Sequence, residues 1–226
     1  MPTTKVRGAK ARATEVDARL ERRFPGTAAT LCALVHRNPF ELVVATVLSA
    51  QCTDERVNEV TPALFAAYPT PEALAGADRG RLEALIHSTG FFHAKAQHLV
   101  ELSAVLVERF DSTVPSDMAS LCSLPGVGRK TANVVRSVAF DEPGLPVDTH
   151  VTRLSHRLDL SRGTDAVAIE RALCRALPQD RWGGFSVRLI LHGRQTCTAR
   201  RPACERCVLE DLCPRRGVPR LRRTSS

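Results

Sequence analysis

Residues 121–131 read Leu-Cys-Ser-Leu-Pro-Gly-Val-Gly-Arg-Lys-Thr, and apolar residues at helical spacing precede and follow them. Pro125 fixes one backbone angle, and Gly126 and Gly128 permit positive φ values. Val127 lies between the two glycines and can turn its side chain towards a core. The stretch therefore predicts a tight hairpin between two helices.

The hairpin exposes backbone groups that suit a phosphate. The N–H groups of Gly126, Gly128 and the next helical turn point outward at the positive end of a helix. A plain connector without a ligand is the alternative interpretation. Lys130 lies in that first turn, where the helix dipole disfavours positive charge and favours a neutral, nucleophilic amine that can form a Schiff base. A phosphate contact or a solvated surface lysine stays open at this point.

A second informative stretch lies near the C-terminus, where four thiols have the spacing C-x6-C-x2-C-x5-C. They belong to Cys197, Cys204, Cys207 and Cys213. So many soft ligands in a short loop indicate a metal centre. Structural zinc usually takes two close pairs of ligands, and here only Cys204 and Cys207 form one, so a [4Fe–4S] cluster fits better. Zinc is the alternative, and disulfides are a poor third choice in a reducing compartment.

The composition indicates a globular protein with a polyanionic partner. The chain has 226 residues, of which 43% are hydrophobic, enough for a sizeable core. Its net charge is +8 and its pI is about 9.4. The apolar runs are too short for a membrane span, and the N-terminus lacks the apolar centre of a signal peptide. A cytoplasmic location is therefore expected.

The positive charge is concentrated at the two ends of the chain. Residues 1–12 and 214–226 hold nine basic residues and no acids, and without them the chain has 23 basic against 24 acidic residues. Both tails are expected to be disordered and to attract a polyanion without sequence preference.

Nearly every segment between the tails has helical periodicity. A helix is predicted from Thr14 to Phe24, and Asn38 and Pro39 open one that is apolar nearly all round up to Ala50, so it should lie in the core. Further helices are predicted over 54–67, 71–76, 79–88, 93–109, 117–122, 129–139, 148–159, 165–176 and 183–194. The scattered cysteines are predicted to be small core residues; they are Cys32, Cys52, Cys122 and Cys174.

Three stretches together resemble one known family. Leu-Pro-Gly-Val-Gly-Arg-Lys-Thr-Ala-Asn-Val-Val closely resembles the helix–hairpin–helix signature of the DNA glycosylases related to endonuclease III. The cysteine spacing is similar to that family's C-terminal iron–sulfur loop, and Pro146-Val147-Asp148-Thr149-His150-Val151 is similar to the stretch that carries its catalytic aspartate. The resemblance covers roughly residues 30–213.

The resemblance implies an all-α architecture of two helical domains with a DNA-binding cleft between them. A helical barrel would span 32–142 and contain the hairpin at 121–131. Residues 14–31 would join 143–213 in the domain that carries the [4Fe–4S] cluster loop. Residues 1–13 and 214–226 would form the disordered basic tails.

The activity implied is that of a bifunctional DNA glycosylase and AP lyase of base excision repair, acting on oxidised pyrimidines in duplex DNA. Lys130 would attack the sugar, and β-elimination through its Schiff base would cleave the strand. Asp148, which the local pattern predicts only as a helix N-cap, would stabilise the cationic sugar. A monovalent cation is implied at the carbonyls of Cys122, Leu124 and Val127.

The resemblance also implies a set of DNA contacts. Gln51 would pair with the orphaned base and Phe91 would act as a wedge, whereas the local patterns suggest a helix C-terminal residue and a core residue. Phe91 and Phe92 depart from the family pattern, in which Leu and then Tyr are common after the glycine. Arg200 and Arg201 would contact phosphates rather than being merely solvated. The full set is Gly126, Gly128, Arg129, Gln51, Phe91, His150, Arg200 and Arg201.

Two other functions stay open from the sequence. A related mismatch or adenine glycosylase typically lacks the lysine or carries an additional C-terminal domain. A non-catalytic iron–sulfur protein that binds DNA or senses redox state would have no need for Lys130 or Asp148. The expected partner is double-stranded DNA containing damaged pyrimidines or abasic sites, bound by a monomer that is associated with the nucleoid and not with a membrane.

Overall fold

The computed structural model describes residues 8–218, and every regular element among them is helical, which confirms the all-α prediction. The α-helices are α1 (Ala9–Arg23), α2 (Pro39–Leu48), α3 (Asp54–Ala67), α4 (Pro71–Ala75), α5 (Arg79–Ile86), α6 (Phe92–Phe110), α7 (Met118–Cys122), α8 (Arg129–Ala139), α9 (Thr149–Arg157), α10 (Ala166–Ala176) and α11 (Trp182–Gln195). Short 3-10 turns cover His87–Thr89, Gln179–Arg181 and Cys204–Arg206. Within residues 8–218, no helix is long and apolar enough to cross a membrane.

Most helices begin where a short polar side chain accepts a backbone N–H from the first turn. This bond satisfies one of the donors that a helix N-terminus leaves without an intrahelical partner. The capping residues are Asn38, Thr53, Thr70, Asp78, Asp117, Asp148 and Asp165. Helices α6 and α8 begin without such a cap, after Phe91 and Gly128.

The chain forms two compact units. The first unit consists of the segment up to Leu31 together with the segment from Pro143 onward. Its core joins α1, α9, α10 and α11, with Leu20 and Phe185 fully buried. The apolar stripes of these helices hold the unit together because burying such side chains is the main favourable term in folding.

The second unit runs from Cys32 to Glu142 and is built around α2. All residues from Phe40 to Leu48 are buried, as the all-round apolar pattern predicts. Helices α3, α6 and α8 pack on this central helix. The hairpin between α7 and α8 is therefore fixed to the core of this unit.

The two tails are more ordered than the sequence predicts. Residues 9–13 belong to α1, where Ala13 is buried and the Arg12 Nη1 donates to the carbonyls of Leu158 and Asp159 at 3.1 and 3.0 Å. At the other end, the Arg216 guanidinium lies 2.9 Å from the Asp159 carboxylate. The tail prediction is thus wrong for residues 8–13 and 214–218, and its remaining parts, 1–7 and 219–226, lie outside the described residues.

The four scattered cysteines are not all placed as predicted. Cys122 is exposed at the end of α7, where its thiol lies 3.6 Å from the sulfur of Met118. The other three, Cys32, Cys52 and Cys174, are only partly buried. The prediction of a core residue is therefore wrong for Cys122, whereas Cys174 packs against the core of the first unit.

Candidate active-site segments and iron–sulfur centre

The hairpin between α7 and α8 has the tight geometry that its sequence predicts. The Val127 N–H donates to the Leu124 carbonyl at 3.1 Å, and the Val127 side chain is buried. Gly126 has a φ of 76°, and a Cβ at this position would lie only 3.0 Å from the Cβ of His98 on α6. Gly126 is therefore required both by its backbone conformation and by the close approach of α6.

Of the two glycines that permit a positive φ, Gly128 does not adopt one. It is the N-cap of α8 with a φ of −90°, and a Cβ there would meet nothing within 4 Å. Its missing side chain leaves the N-terminus of α8 uncovered, which is the arrangement that lets a phosphate approach backbone N–H groups.

Arg129 and Lys130 are the first two residues of α8, and both are exposed. The first turn of this helix contains no acidic residue. Positive charge at a helix N-terminus is unfavourable by roughly 0.3–1 kcal/mol per residue. An anion bound at this turn would offset the part of that cost that Lys130 contributes.

Asp148 lies in the first unit, at the N-terminus of α9. Its Oδ1 accepts the Val151 N–H at 2.8 Å, which confirms the predicted N-cap. The side chain is half-buried, and this bond engages one of its two carboxylate oxygens. Capping fixes the orientation of the carboxylate, whose other oxygen, Oδ2, can act on a substrate.

His150 follows Asp148 in the first turn of α9. Burial lowers the pKa of His150, and the nearby Arg153 and Arg194 charges lower it further against the opposing effect of Asp148. The Arg153 Nη2 lies 3.0 Å from His150 Nδ1. An arginine can only donate, so Nδ1 accepts and the ring carries its proton on Nε2. His150 is thus set to donate a hydrogen bond from Nε2.

The loops that hold Gln51 and Phe91 lie in the second unit and expose both side chains. Phe91 is 67% exposed, so the interpretation of Phe91 as a core residue is wrong. Gln51 lies beyond α2, which ends at Leu48, so it is not a helix residue either. Both residues have left-handed backbones, with φ values of 55° and 49°. Such conformations are uncommon for residues other than glycine and often mark functional loops.

The four clustered cysteines line one cavity in the first unit. The cavity is partly open to solvent, and apolar side chains such as Leu154 and Leu209 complete its wall. Burial raises the pKa of the Cys207 thiol to about 11 and also raises that of Cys213. Deprotonating these thiols therefore requires positive charge nearby, which bound iron supplies.

Basic and polar groups surround these thiols. Arg157 is buried, and its Nη1 donates to the Cys197 Sγ at 3.3 Å and to the Thr198 carbonyl at 2.8 Å, while Nη2 donates to the Ala199 carbonyl at 2.8 Å. His192 Nε2 lies 3.4 Å from the Cys207 Sγ, and burial lowers the pKa of His192 to about 4. A neutral His192 can donate to a thiolate without adding charge.

The chemistry of this donor set fits an iron–sulfur cluster better than a single ion. All four cysteines line one cavity, and four thiolates are the usual ligand set of a [4Fe–4S] cluster. A cubane cluster takes each thiolate on a different iron, so its ligands need not converge on one point. Zinc would require that convergence.

Arg200 and Arg201 are exposed on the loop between Cys197 and Cys204. The Thr198 hydroxyl donates to the Arg201 carbonyl at 2.7 Å, which closes this loop. Both guanidinium groups are therefore presented on an ordered backbone. The sequence carries no comparable signal for Arg153 and Arg157, since charged residues spaced four apart on a helix are most often solvated.

Two family models match this chain, one over the helical part and one over the cysteine loop. Residues 44–179 match the family described as HhH-GPD superfamily base excision DNA repair protein, and residues 197–213 match the iron–sulfur binding domain of endonuclease III. Endonuclease III of Synechocystis sp. is 52% identical over 211 residues, covering 93% of this chain and 95% of the relative. Endonuclease III of Bacillus subtilis is 48% identical over 183 residues, covering 80% and 84%.

A solved structure of a trapped covalent intermediate between endonuclease III and DNA matches with a TM-score of 0.85 and 43% identity, covering 91% of this chain and 96% of that one. The chain therefore belongs to the HhH-GPD superfamily of base excision DNA repair proteins. Within that class it is a member of the endonuclease III family, a DNA glycosylase and AP lyase that carries a [4Fe–4S] cluster. The non-catalytic alternative is accordingly set aside.

Proposed function

We propose that the chain removes oxidised pyrimidines from duplex DNA and then cleaves the abasic strand, with Lys130 as nucleophile and Asp148 as its acid–base partner. The observation that carries this assignment is an exposed lysine in the first turn of α8, next to an uncovered N-cap glycine and without an acid in the turn. A trapped covalent intermediate with DNA is recorded for a similar protein, endonuclease III.

The reaction follows from these two groups. The Lys130 amine forms a bond to the sugar C1′ as the bond from C1′ to the base breaks, and the departing base takes up a proton. The Asp148 carboxylate stabilises the positive charge that develops on the sugar and accepts the proton lost by the amine. The bond between C1′ and O4′ then breaks as O4′ takes up a proton, and the ring-opened sugar is an imine of Lys130. The imine acidifies C2′, so that loss of a proton from C2′ breaks the bond to the 3′ phosphate and expels it.

The remaining site residues bind and orient DNA in this proposal. Backbone N–H groups at Gly126 and Gly128, together with Arg129, hold one phosphate at the N-terminus of α8. His150 donates from Nε2, and the arginines of the cluster loop contact the backbone. Gln51 and Phe91 fill the space that the extruded nucleotide leaves. The protein acts as a monomer at damaged duplex DNA in the nucleoid.

Cys197, Cys204, Cys207 and Cys213 would hold the cluster. When bound, it supplies four iron–thiolate bonds that cross-link residues 197–213 and orient the loop that carries Arg200 and Arg201. No proton transfer in the proposed reaction is assigned to the cluster.

The mechanism is tested by borohydride trapping on duplex DNA that contains an oxidised pyrimidine or an abasic site. Lys130→Gln should abolish the trapped complex, because an amide cannot form an imine. Arg129→Gln is the matched control, since it removes one positive charge from the same exposed turn. It should weaken binding and still give the trapped complex. A Lys130→Gln protein that releases bases at the normal rate would show that water, and not this lysine, attacks the sugar.

Asp148→Asn separates the capping role of this residue from its catalytic role. Asparagine keeps the oxygen that accepts the Val151 N–H, so α9 should remain folded. Base removal should slow by on the order of 10²-fold or more, the usual range for general acid–base catalysis. Cleavage at a preformed abasic site should slow less, because the carboxylate acts chiefly on the cationic sugar of the first step. Equal losses in both steps would contradict this division.

A further inference from the structure

Lys95 is a buried lysine that the proposed reaction does not use. It lies in the first turn of α6 and is only 4% exposed. Its Nζ donates to the carbonyl of Leu48 and to the carbonyl of Thr89, both at 2.8 Å. Burial lowers the pKa of Lys95, and the nearby Cys52 opposes that effect. Burying an ammonium group costs stability unless its partners are well placed, so these two bonds define its role.

Both carbonyls belong to residues that end a helical segment. Three of the last four carbonyls of α2 accept hydrogen bonds from Ser49 and Ala50. The Ser49 N–H donates to the Ala45 carbonyl at 2.9 Å and the Ser49 hydroxyl donates to the Thr46 carbonyl at 2.8 Å. The Ala50 N–H donates to the Val47 carbonyl at 3.3 Å. Lys95 supplies the donor for the fourth, that of Leu48. A cation is favourable at this negative helix end, so the lysine acts as a C-cap delivered from another helix.

The second carbonyl ends the 3-10 turn His87–Thr89. The Thr89 hydroxyl donates to the Ile86 carbonyl at 2.8 Å, and the Gly90 N–H donates to the His87 carbonyl at 3.3 Å. Lys95 again supplies the donor for the terminal carbonyl, that of Thr89. One ammonium group therefore joins the ends of two segments that lie about forty residues apart in the chain.

These two ends lead directly into the loops proposed to fill the extruded nucleotide's place. Gln51 lies three residues after Leu48, and Phe91 lies two residues after Thr89. The backbone of each has a positive φ, a conformation that costs energy for a residue with a side chain. Only two or three residues of backbone separate Gln51 and Phe91 from the carbonyls that Lys95 holds, so few backbone dihedral angles are free to move either side chain.

We propose that Lys95 is a positioning residue that fixes the distance and orientation between the Gln51 loop and the Phe91 loop, so that both side chains enter the same DNA step together. The inference rests on the proposed function of these two loops. Lys95 itself, being buried, acts through them and does not touch DNA. Its contribution should be visible only on a duplex from which a nucleotide is displaced.

The test compares the affinity of the holoenzyme for a duplex with a tetrahydrofuran abasic-site analogue and for the same duplex without it. Lys95→Met keeps the length of the side chain and removes the donors. It should lower the ratio of the two affinities by about tenfold, the factor that corresponds to 1.4 kcal/mol. Affinity for the intact duplex should be unchanged. Lys95→Arg, which can donate to both carbonyls, should restore part of the ratio.

A double-mutant cycle separates positioning from a general loss of stability. In a Gln51→Ala, Phe91→Ala background, Lys95→Met should lower the ratio no further, because the side chains that it positions are gone. Leu74→Ala, a core substitution elsewhere in the same unit, is the control for reduced stability and should leave the ratio unchanged. If Lys95→Met does not fold, Lys95→Gln, which keeps one pair of N–H donors, takes its place with a smaller loss expected.

The outcomes distinguish a failure of the function proposed for the two loops from a failure of the role proposed for Lys95. If Gln51→Ala and Phe91→Ala leave the ratio unchanged, the proposed function of the loops fails and the inference falls with it. If those substitutions lower the ratio and the Lys95 variant does not, the inference alone is overturned. It is also overturned if the Lys95 variant lowers the ratio equally in the Gln51→Ala, Phe91→Ala background.

Discussion

Replacing Arg157 by methionine should loosen the iron–sulfur loop without unfolding the protein. The guanidinium makes 2.8 Å bonds to the carbonyls of Thr198 and Ala199. A carbonyl left without a donor costs about 1–3 kcal/mol when it is buried. Ala199 is exposed and Thr198 is half-buried, so water can replace part of the loss. We therefore expect about 2 kcal/mol, well below the roughly 5–15 kcal/mol that stabilises a domain.

A loss of about 2 kcal/mol corresponds to about 30-fold more frequent opening of the loop. The assay is the decay of visible absorbance of the holoenzyme in excess chelator, together with the release of iron. Arg157→Met should lose its cluster about 30-fold faster than the wild type. Arg200→Met is the control, because this arginine lies on the same loop and is exposed. Equal decay rates for Arg157→Met and the wild type would refute the role assigned to Arg157.

Two further predictions concern charge. Deleting residues 1–7 and 219–226, which carry five basic residues, should flatten the salt dependence of DNA binding by about 0.9 in logarithmic slope for each phosphate that is no longer neutralised. Single-turnover cleavage at saturating enzyme should not change, and a collapse in that rate would place these segments in the reaction. Arg181 lowers the pKa of Glu21, so Glu21 contributes stability above its ordinary pKa of 4.5 that is lost as the pH falls through the lower folded value. Denaturant titrations should show Glu21→Gln less stable than the wild type at pH 7, by less than about 1 kcal/mol because both side chains are partly open to solvent, with the difference vanishing in acid.

The elements that could be predicted from the sequence are those with local signals at their ends. The predicted bounds of α3 and α8 agree with the structure, because a capping threonine opens the first and the hairpin opens the second. The start of α1 was missed because Gly8 precedes it without a side-chain cap. The parts of the candidate site that could be predicted are likewise those with a local signal in the sequence. The hairpin and the cysteine loop are contiguous motifs, and they were recognised.

The supporting residues could not be predicted, because their partners are distant in sequence. Lys95 donates to a carbonyl 47 residues away and Arg157 to one 41 residues away. A window of helical length contains neither partner, so both residues look like ordinary surface cations. The exposure of the Phe91 side chain could not be predicted from the sequence either. An aromatic residue beside a helical pattern is usually buried, and only the positive φ turns this one outward.

The first unit is assembled from two separated parts of the chain, and this sets an order for its maturation. Chains emerge from the ribosome N-terminus first, and domains generally fold as units. Residues 32–142 can fold as soon as they emerge, whereas α1 must wait: Asp17 pairs with Arg188, 171 residues later. Until then the apolar stripe of Val16 and Leu20 has no partner helix and is open to chaperones. The four clustered cysteines follow α11 and are synthesised after all the helices described above. The nascent protein can therefore acquire iron only after both units are nearly complete.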